Sequence, residues 1–267
     1  MKKINSVKEY KKQIKKEKIK IHTIQISLGI LFLLAWEILT RANIVNSFLL
    51  SSPLKVFSLF VTYLNSGEIF SHIYISTLET LLGLIISLSG GIIIATILYL
   101  SPSASRVLDP YLVLLNALPK SAIAPILIIW LGTGLKGIVG VSVSFVMIIT
   151  IINVLNYFNH VDSDLITMMK SMKASKLQIL MKVVFPSNIM NILSTIKVCI
   201  GLSWVGVIVG EYLSSKRGLG YLVMYGGQVF KLDLVMMGIF ILAILALIMY
   251  SVIALIEKIL KKKYKLN

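Results

Sequence analysis

Three stretches of this chain run without a charged residue for longer than a helix needs to cross a bilayer: Thr80–Ser105, Gly137–Asn159 and Leu234–Ile256. About 20 apolar residues of α-helix span the hydrocarbon layer. A chain inside that layer must satisfy its own backbone N–H and C=O groups, which leaves helices and closed barrels. Barrel strands would show as segments of roughly ten residues alternating in polarity, and none occurs, so the runs read as helices. Ile24–Trp36 opens a further span that continues past Glu37 to about residue 39. Pro110–Leu131 is interrupted only by Lys120, and Val183–Gly210 only by Lys197. Six spans are therefore expected, near residues 24–40, 78–100, 110–131, 137–157, 188–212 and 234–257, in one membrane domain covering 22–257. Composition agrees: 14% of residues are charged, against about 25% in soluble domains.

The net charge of +16 suggests nucleic acid until it is mapped. Nine lysines precede residue 21 and five lie between Lys258 and Lys265, so segments 1–21 and 258–267 are basic tails. Six spans put Arg106, Lys170, Lys173, Lys176 and Lys182 on the same side as those tails. Only Arg41, Lys55, Lys136, Lys216, Arg217 and Lys231 fall on the other. This positive-inside asymmetry places both termini in the cytoplasm of a multi-pass cell-membrane protein. The tails also suit anionic membrane lipid. With no recognition motif and no aromatic interleaving, a nucleic-acid partner is not expected. The first apolar run reaches Glu37 and Arg41 without a small-x-small cleavage site, so it reads as an uncleaved span rather than a signal peptide.

Chemistry of the enzymatic kind has no visible constellation. Cys199 is a lone cysteine in an apolar helix and reads as a small buried hydrophobe. His22, His72 and His160 are far apart and lack metal-ligand spacing. No catalytic residue, metal site or cofactor is expected.

The segment from Asp162 to Pro186 is a polar island between spans. Leu165, Met168, Met169 and Met172 recur at i, i+3, i+4 and i+7, one face of a helix, and Lys170, Lys173 and Lys176 run down another. Asp162, Ser163 and Asp164 suit a helix start. Ser175 and Gln178 have capping-box spacing, so a second helix should begin there. The outcome is a helix, a turn and a helix leading into a span.

That arrangement resembles the EAA loop of ABC-transporter permeases, the inner-membrane subunits of binding-protein-dependent importers. The family pattern is Glu-Ala-Ala, three residues, Gly, and later an apolar-Pro pair. Here the triplet falls on Thr167, Met168 and Met169, the glycine on Lys173, and the closing pair on Phe185-Pro186, with Ala174-Ser175 following the glycine position. A non-glycine residue in a left-handed turn at 173 would cost on the order of 1 kcal/mol. The stretch Pro119-Lys-Ser-Ala-Ile-Ala-Pro125, continuing to Trp130-Leu-Gly-Thr-Gly134, is similar to the Pro-x-x-Ala-x-x-Pro…Trp-x-Gly-x-Gly of the sulfonate, nitrate and taurine importers. Glu211-Tyr-Leu with Arg217-Gly-Leu-Gly-Tyr221 resembles their Glu-Met-Leu…Gly-Leu-Gly-Tyr. Ser51-Ser52-Pro53 and Ser66-Gly67-Glu68-Ile69 match more loosely.

The resemblance implies an all-α membrane fold of the type I ABC importer kind, about six transmembrane helices with a cytoplasmic helix-turn-helix coupling loop at 162–186. It implies a non-enzymatic permease subunit that moves a small anion, such as a sulfonate or nitrate, or a vitamin precursor. Implied partners are cytoplasmic ABC ATPase subunits, an extracytoplasmic solute-binding protein and a second copy of the chain in a homodimer. The ATPase would dock on Leu165, Thr167, Met168, Met169, Met172, Lys173, Ala174 and Ser175. The chain has no Gly-x-x-x-x-Gly-Lys-Ser/Thr of its own. An ATP-independent secondary transporter or channel remains open, though it leaves the loop unexplained.

Pathway residues come from the physics of broken and charged helices. Pro119 and Pro125 each remove a backbone donor, so the third span should kink or break. Asn116, Pro119 and Lys120 at that break are candidates for the translocation pathway, the alternative being a structural kink. Glu211 and Lys197 bracket the fifth span and lie too far apart to pair within it. Each needs another partner, a cavity or a headgroup, which makes Glu211 a pathway or gate candidate unless it is merely solvated. Trp130 suits an interface anchor and Trp204 plain packing. Gly83, Ser87, Gly91 and Ala95, with Gly206 and Gly210, read as small-residue stripes for close helix packing.

Overall fold

A computed structural model describes residues 7–42 and 44–264, and every regular element among them is a helix. The outermost parts of both basic tails, 1–6 and 265–267, lie outside the described residues. Helix α1 (Val7–Arg41) is followed by a single turn, α2 (Ser47–Leu50), and by α3 (Pro53–Ser66). The start of α3 is dictated locally: Ser52 caps the Lys55 amide, Pro53 supplies the first helical φ, and Gly67 closes the helix at φ +78. Helix α4 (Glu68–Leu100) begins directly after that glycine. At 33 residues it is about 50 Å long and overshoots the bilayer core by several turns.

Next come α5 (Pro102–Ala117) and α6 (Lys120–Leu131), bent from one another by 98°. The break falls at Leu118 and Pro119, both in extended backbone, as the steric demand of Pro119 on its predecessor requires. Pro110 and Pro125 sit inside helices that continue through them, so of the two prolines expected to disrupt this span only Pro119 does. Neither piece is long enough to cross alone, at about 24 and 18 Å. Then α7 (Leu135–Asn159) leads to α8 (Ser163–Ser171) and α9 (Lys176–Ile179). A π-helical turn (Leu180–Val184) and α10 (Phe185–Ser187) pass the chain into α11 (Ile189–Ser214), before α12 (Leu219–Gln228) and α13 (Leu232–Tyr264). Five helices are long and apolar enough to cross a membrane, six if the bent pair counts as one.

The core is the trio α4, α7 and α11, which approach through their small residues. Gly83, Ser87, Gly91 and Ala95 are all buried. A Cβ on Gly83 would overlap the Ser142 side chain, and one on Gly206 would stand 2.6 Å from the Ser142 Cα. At the same crossing the Ser142 and Ser203 hydroxyls lie 2.9 Å apart, and Ser203 donates to the Thr80 carbonyl at 3.0 Å. Close approach thus lets hydroxyls bond between helices inside an apolar layer. One end of the trio closes over Ala95, Leu98, Val154, Phe158, Leu180 and Val184. At the other end α3, α12 and α13 pack around Ile69, Leu219, Leu222 and Met237. Helix α1 lies outside, largely exposed, held by Trp36 stacked on Phe240 at 5.8 Å.

Candidate functional site

Two built features stand at opposite ends of the core. The first is the 162–186 insert. Asp162 caps α8 by accepting from the Asp164 amide. The helix ends in a Schellman turn: the Ala174 amide donates to the Met169 carbonyl at 3.1 Å and the Lys173 amide to Lys170 at 2.9 Å. Lys173 occupies the left-handed position of that turn, at φ +58. Ser175 and Gln178 then make the reciprocal capping box that opens α9. Just ahead of Pro186, which has no N–H to give, the helix widens into its π turn.

The insert has two apolar sides. Ile166, Met169 and Ala174 turn inward onto the cluster of Phe158, Ile179, Leu180 and Val184, with Phe185. Leu165, Met168 and Met172 turn outward, Met168 52% and Met172 72% exposed. Met169, grouped from its spacing with the outward methionines, belongs to the inner side: the helix must put one stripe on the core to be held at all. Thr167, Lys173 and Ser175 are exposed beside the outward stripe, as are Lys170 and Lys176.

The second feature surrounds Glu211. This residue, near the end of α11, is wholly withdrawn from solvent, so it is not the surface carboxylate its position permitted. Its Oε1 accepts from the Ser76 hydroxyl at 2.5 Å. Its Oε2 accepts from the amides of Gly220 at 2.6 Å and Tyr221 at 3.4 Å. These are first-turn amides of α12, which have no partner within the helix and favour an anion. Ser76 is itself held by the Leu219 amide at 2.7 Å. His72 Nδ1 sits 2.9 Å from the Gly218 carbonyl and 3.0 Å from its amide, its ring parallel to that of Tyr221. The Arg217-Gly-Leu-Gly-Tyr221 pattern has a direct cause: at φ +110 a side chain on Gly218 would overlap the Glu211 carboxylate, and one on Gly220 would lie 2.9 Å from Oε2. Ser76, the partner of Glu211 on α4, escaped the sequence reading, although His72, Ser76 and Glu79 recur there at i, i+4 and i+7 as a polar stripe.

The remaining pathway candidates gather elsewhere. Asn116 and Pro119 are exposed at the break, and Lys120 folds back over it, its Nζ 3.3 Å from the Asn116 carbonyl and 3.5 Å from its side-chain oxygen. They form one group and Glu211 another. Lys197 pairs with Glu257 of α13, which also holds Lys261 at 3.0 Å. Trp204 is packed in the core, whereas Trp130 stands 76% exposed.

Fold and site together define a polytopic helical membrane protein with an ordered polar insert poised at one end of its core. The profile of the family described as "Binding-protein-dependent transport system inner membrane component" matches residues 87–265. The chain belongs to that family and is an ABC importer permease. It is 28% identical over 227 residues to SsuC of Bacillus subtilis, a permease protein named for aliphatic sulfonates transport, covering 85% of this chain and 82% of that one. It is 24% identical to the taurine transport system permease protein TauC of Escherichia coli, covering 85% of each chain. With the riboflavin transport system permease protein RibX of Chloroflexus aurantiacus it shares 29% identity, covering 86% of each. Among solved structures, a chain of the MetNI methionine ABC transporter in an inward-facing conformation superimposes with a TM-score of 0.57 at 14% identity, over 74% of this chain and 96% of that one. That likeness is one of fold.

Proposed function

We propose that this chain is the transmembrane subunit of an ATP-driven importer. It works as a two-fold homodimer with both termini and the 162–186 insert in the cytoplasm. The carrying observation is the two-sided insert. Its inner side is packed onto the core, and from α9 the chain passes through the π turn and α10 into α11 with only Asn188 between them, while its outer side offers Leu165, Met168 and Met172 among lysines. An apolar stripe exposed at the end of a membrane protein, on a doubly capped helix-turn-helix, suits a partner that must push. That partner is a separate ABC ATPase, whose closure would be carried through α9 and the π turn into α11. The dimer reading rests on α5, none of whose residues is buried, and on the exposed face of the broken α5–α6 pair. A second copy would cover that face and set two such breaks across one axis, with Asn116, Pro119 and Lys120 at the pathway.

A solute-binding protein would deliver the substrate at the opposite end. Lys120 at the start of α6 favours a small anion, and relatives named for sulfonate, taurine and riboflavin transport bracket the class. Purification of the tagged chain from its membrane in mild detergent should bring down a Walker-type ATPase and a binding protein. A chain that comes down alone and moves solute in ATP-free liposomes would replace this reading with a secondary transporter.

A further inference from the structure

The chain between the insert and α11 does not keep one helical pattern. The Phe185 amide donates to the Leu180 carbonyl, closing the π turn. Pro186 has no amide to give the Lys182 carbonyl. The Asn188 amide donates to the Phe185 carbonyl at 3.1 Å, and Asn188 itself leaves the helical region at φ −104, ψ 5. Regular α-helical bonding resumes where the Ile192 amide donates to the Asn188 carbonyl at 2.9 Å.

Asn188 bridges the break it makes. In an unbroken α-helix the Val184 carbonyl would accept from the Asn188 amide. That amide has turned to Phe185, and the side-chain Nδ2 of the same residue donates to Val184 instead, at 2.9 Å. Its Oδ1 accepts from Asn191 Nδ2, in the first turn of α11, also at 2.9 Å. One side chain, 4% exposed, therefore bonds the end of the π turn on one side and α11 on the other. Beneath it Leu180, Val184 and Ile192 rest on one core cluster with Leu98 and Phe158, while Leu177 and Met181 on the insert side stand exposed. Helix propensity and the cost of burying an amide both favour alanine or leucine at such a position, so helix formation does not account for the asparagine.

We propose that Asn188 is the pivot between the insert and α11. Its side-chain bond to Val184 fixes the angle at which α9 and the π turn meet α11. Movement of the insert then bends the chain at this residue instead of driving α11 along its axis. A continuous helix behaves as a stiff rod, and helices bend where their ladder of hydrogen bonds is interrupted. From Asn188 back to the start of α9 is about 18 Å of helix, so a change of about 20° at the pivot carries the insert through about 6 Å. Being buried, Asn188 positions the insert without touching a partner. The use of the pivot in transport rests on the permease reading, whereas the pivot itself belongs to the chain alone.

The test uses the full chain in lipid nanodiscs, with Cys199→Ala as the background. Spin labels go on Ser171→Cys, at the exposed end of α8, and on Leu213→Cys, exposed near the far end of α11. Pulsed EPR should give one distance in this parent. Asn188→Ala should shift or broaden it by up to about 6 Å, and the volume-matched Asn188→Leu should do the same, which covers the case of an alanine variant that does not fold. Asn188→Ser should keep the parent distance, because a serine hydroxyl donates to the carbonyl one turn back and bends the helix as it does so. Asn191→Ala should keep it too, since the bond to Val184 survives. Thr195→Val removes another buried hydroxyl bond of α11, to Tyr157 at 3.4 Å, and controls for lost stability: its unfolding midpoint should fall with the distance unchanged. The pivot is overturned if the alanine and leucine variants keep the parent distance, if serine shifts it as far as alanine, or if Thr195→Val shifts it equally. Each readout is made on the chain alone, so it can fail while ATPase recovery succeeds, and the reverse.

Discussion

Each end of this molecule turns its chain through a positive-φ residue, and the two turns treat that residue differently. At Gly218 the backbone sits at φ 110, ψ 169, with the Glu211 carboxylate directly where a side chain would begin. At Lys173 the backbone sits at φ +58 in an exposed Schellman turn, and the side chain stands in solvent. The first conformation is open in practice to glycine alone. The second is the left-handed helical well, which other residues enter at a modest cost. One turn is shaped from inside by a buried carboxyl group; the other is shaped by its own backbone hydrogen bonds and leaves its surface exposed.

The largest effect should come from filling the inner turn. Gly218→Ala combines a glycine-only conformation with overlap on a buried carboxylate and should cost about 3 kcal/mol. Thermal unfolding in detergent should fall accordingly, with loss of folded yield. If Gly218→Ala melts like the wild type, the loop is not fastened by Glu211 as described. Next in size is the proposed docking surface at the other end. Met168→Asp and Met172→Asp should leave unfolding within about 0.5 kcal/mol, because both side chains are exposed. Each should nevertheless weaken ATPase binding by about 2 kcal/mol, roughly 30-fold, as central apolar anchors do. Met169→Asp should reverse that order, destabilising the subunit itself because this methionine faces the core. Equal behaviour of Met168 and Met169 variants would erase the two-sided insert.

How much of this was legible beforehand follows from how far apart the deciding residues lie. Spans, the capping box of Ser175 and Gln178, and the break at Pro119 are local: uncharged runs, a spacing of three, a missing donor. The family's spacing put the glycine position at Lys173 but left open whether the turn there is left-handed, which its φ of +58 decides. What stayed hidden depended on distant chain. Glu211 looked solvated or path-lining because the hydroxyl that holds it belongs to Ser76, 135 residues away. The 98° bend likewise exceeds what a missing hydrogen bond dictates, since proline removes a donor without fixing the new direction. Met169 was misplaced by one side of a helix because the periodicity of a four-residue apolar set does not say which members meet the core.

A smaller prediction concerns how α9 starts. Ser175→Ala removes the side-chain acceptor for the Gln178 amide and should cost about 1 kcal/mol, read as a lower unfolding midpoint. Gln178→Ala should cost less, since it leaves the serine half of the capping box intact. Were Ser175→Ala silent, the helix-turn-helix would be held by its inner apolar side alone.

The smallest effect sharpens the comparison most, because its sign differs. Lys173→Gly should stabilise the subunit by about 0.5–1 kcal/mol: it relieves the left-handed strain of a side chain, partly offset by the greater freedom glycine has when unfolded. Asparagine tolerates the same conformation, so Lys173→Asn should be nearly neutral in unfolding while also removing the charge. The pair therefore separates geometry from electrostatics. If the lysine is kept for the partner, both variants should lose ATPase affinity to a similar degree, more at low salt than at high, whatever they do to stability. If affinity is untouched by either, the strain at 173 serves nothing at this surface, and the methionines carry the docking without it.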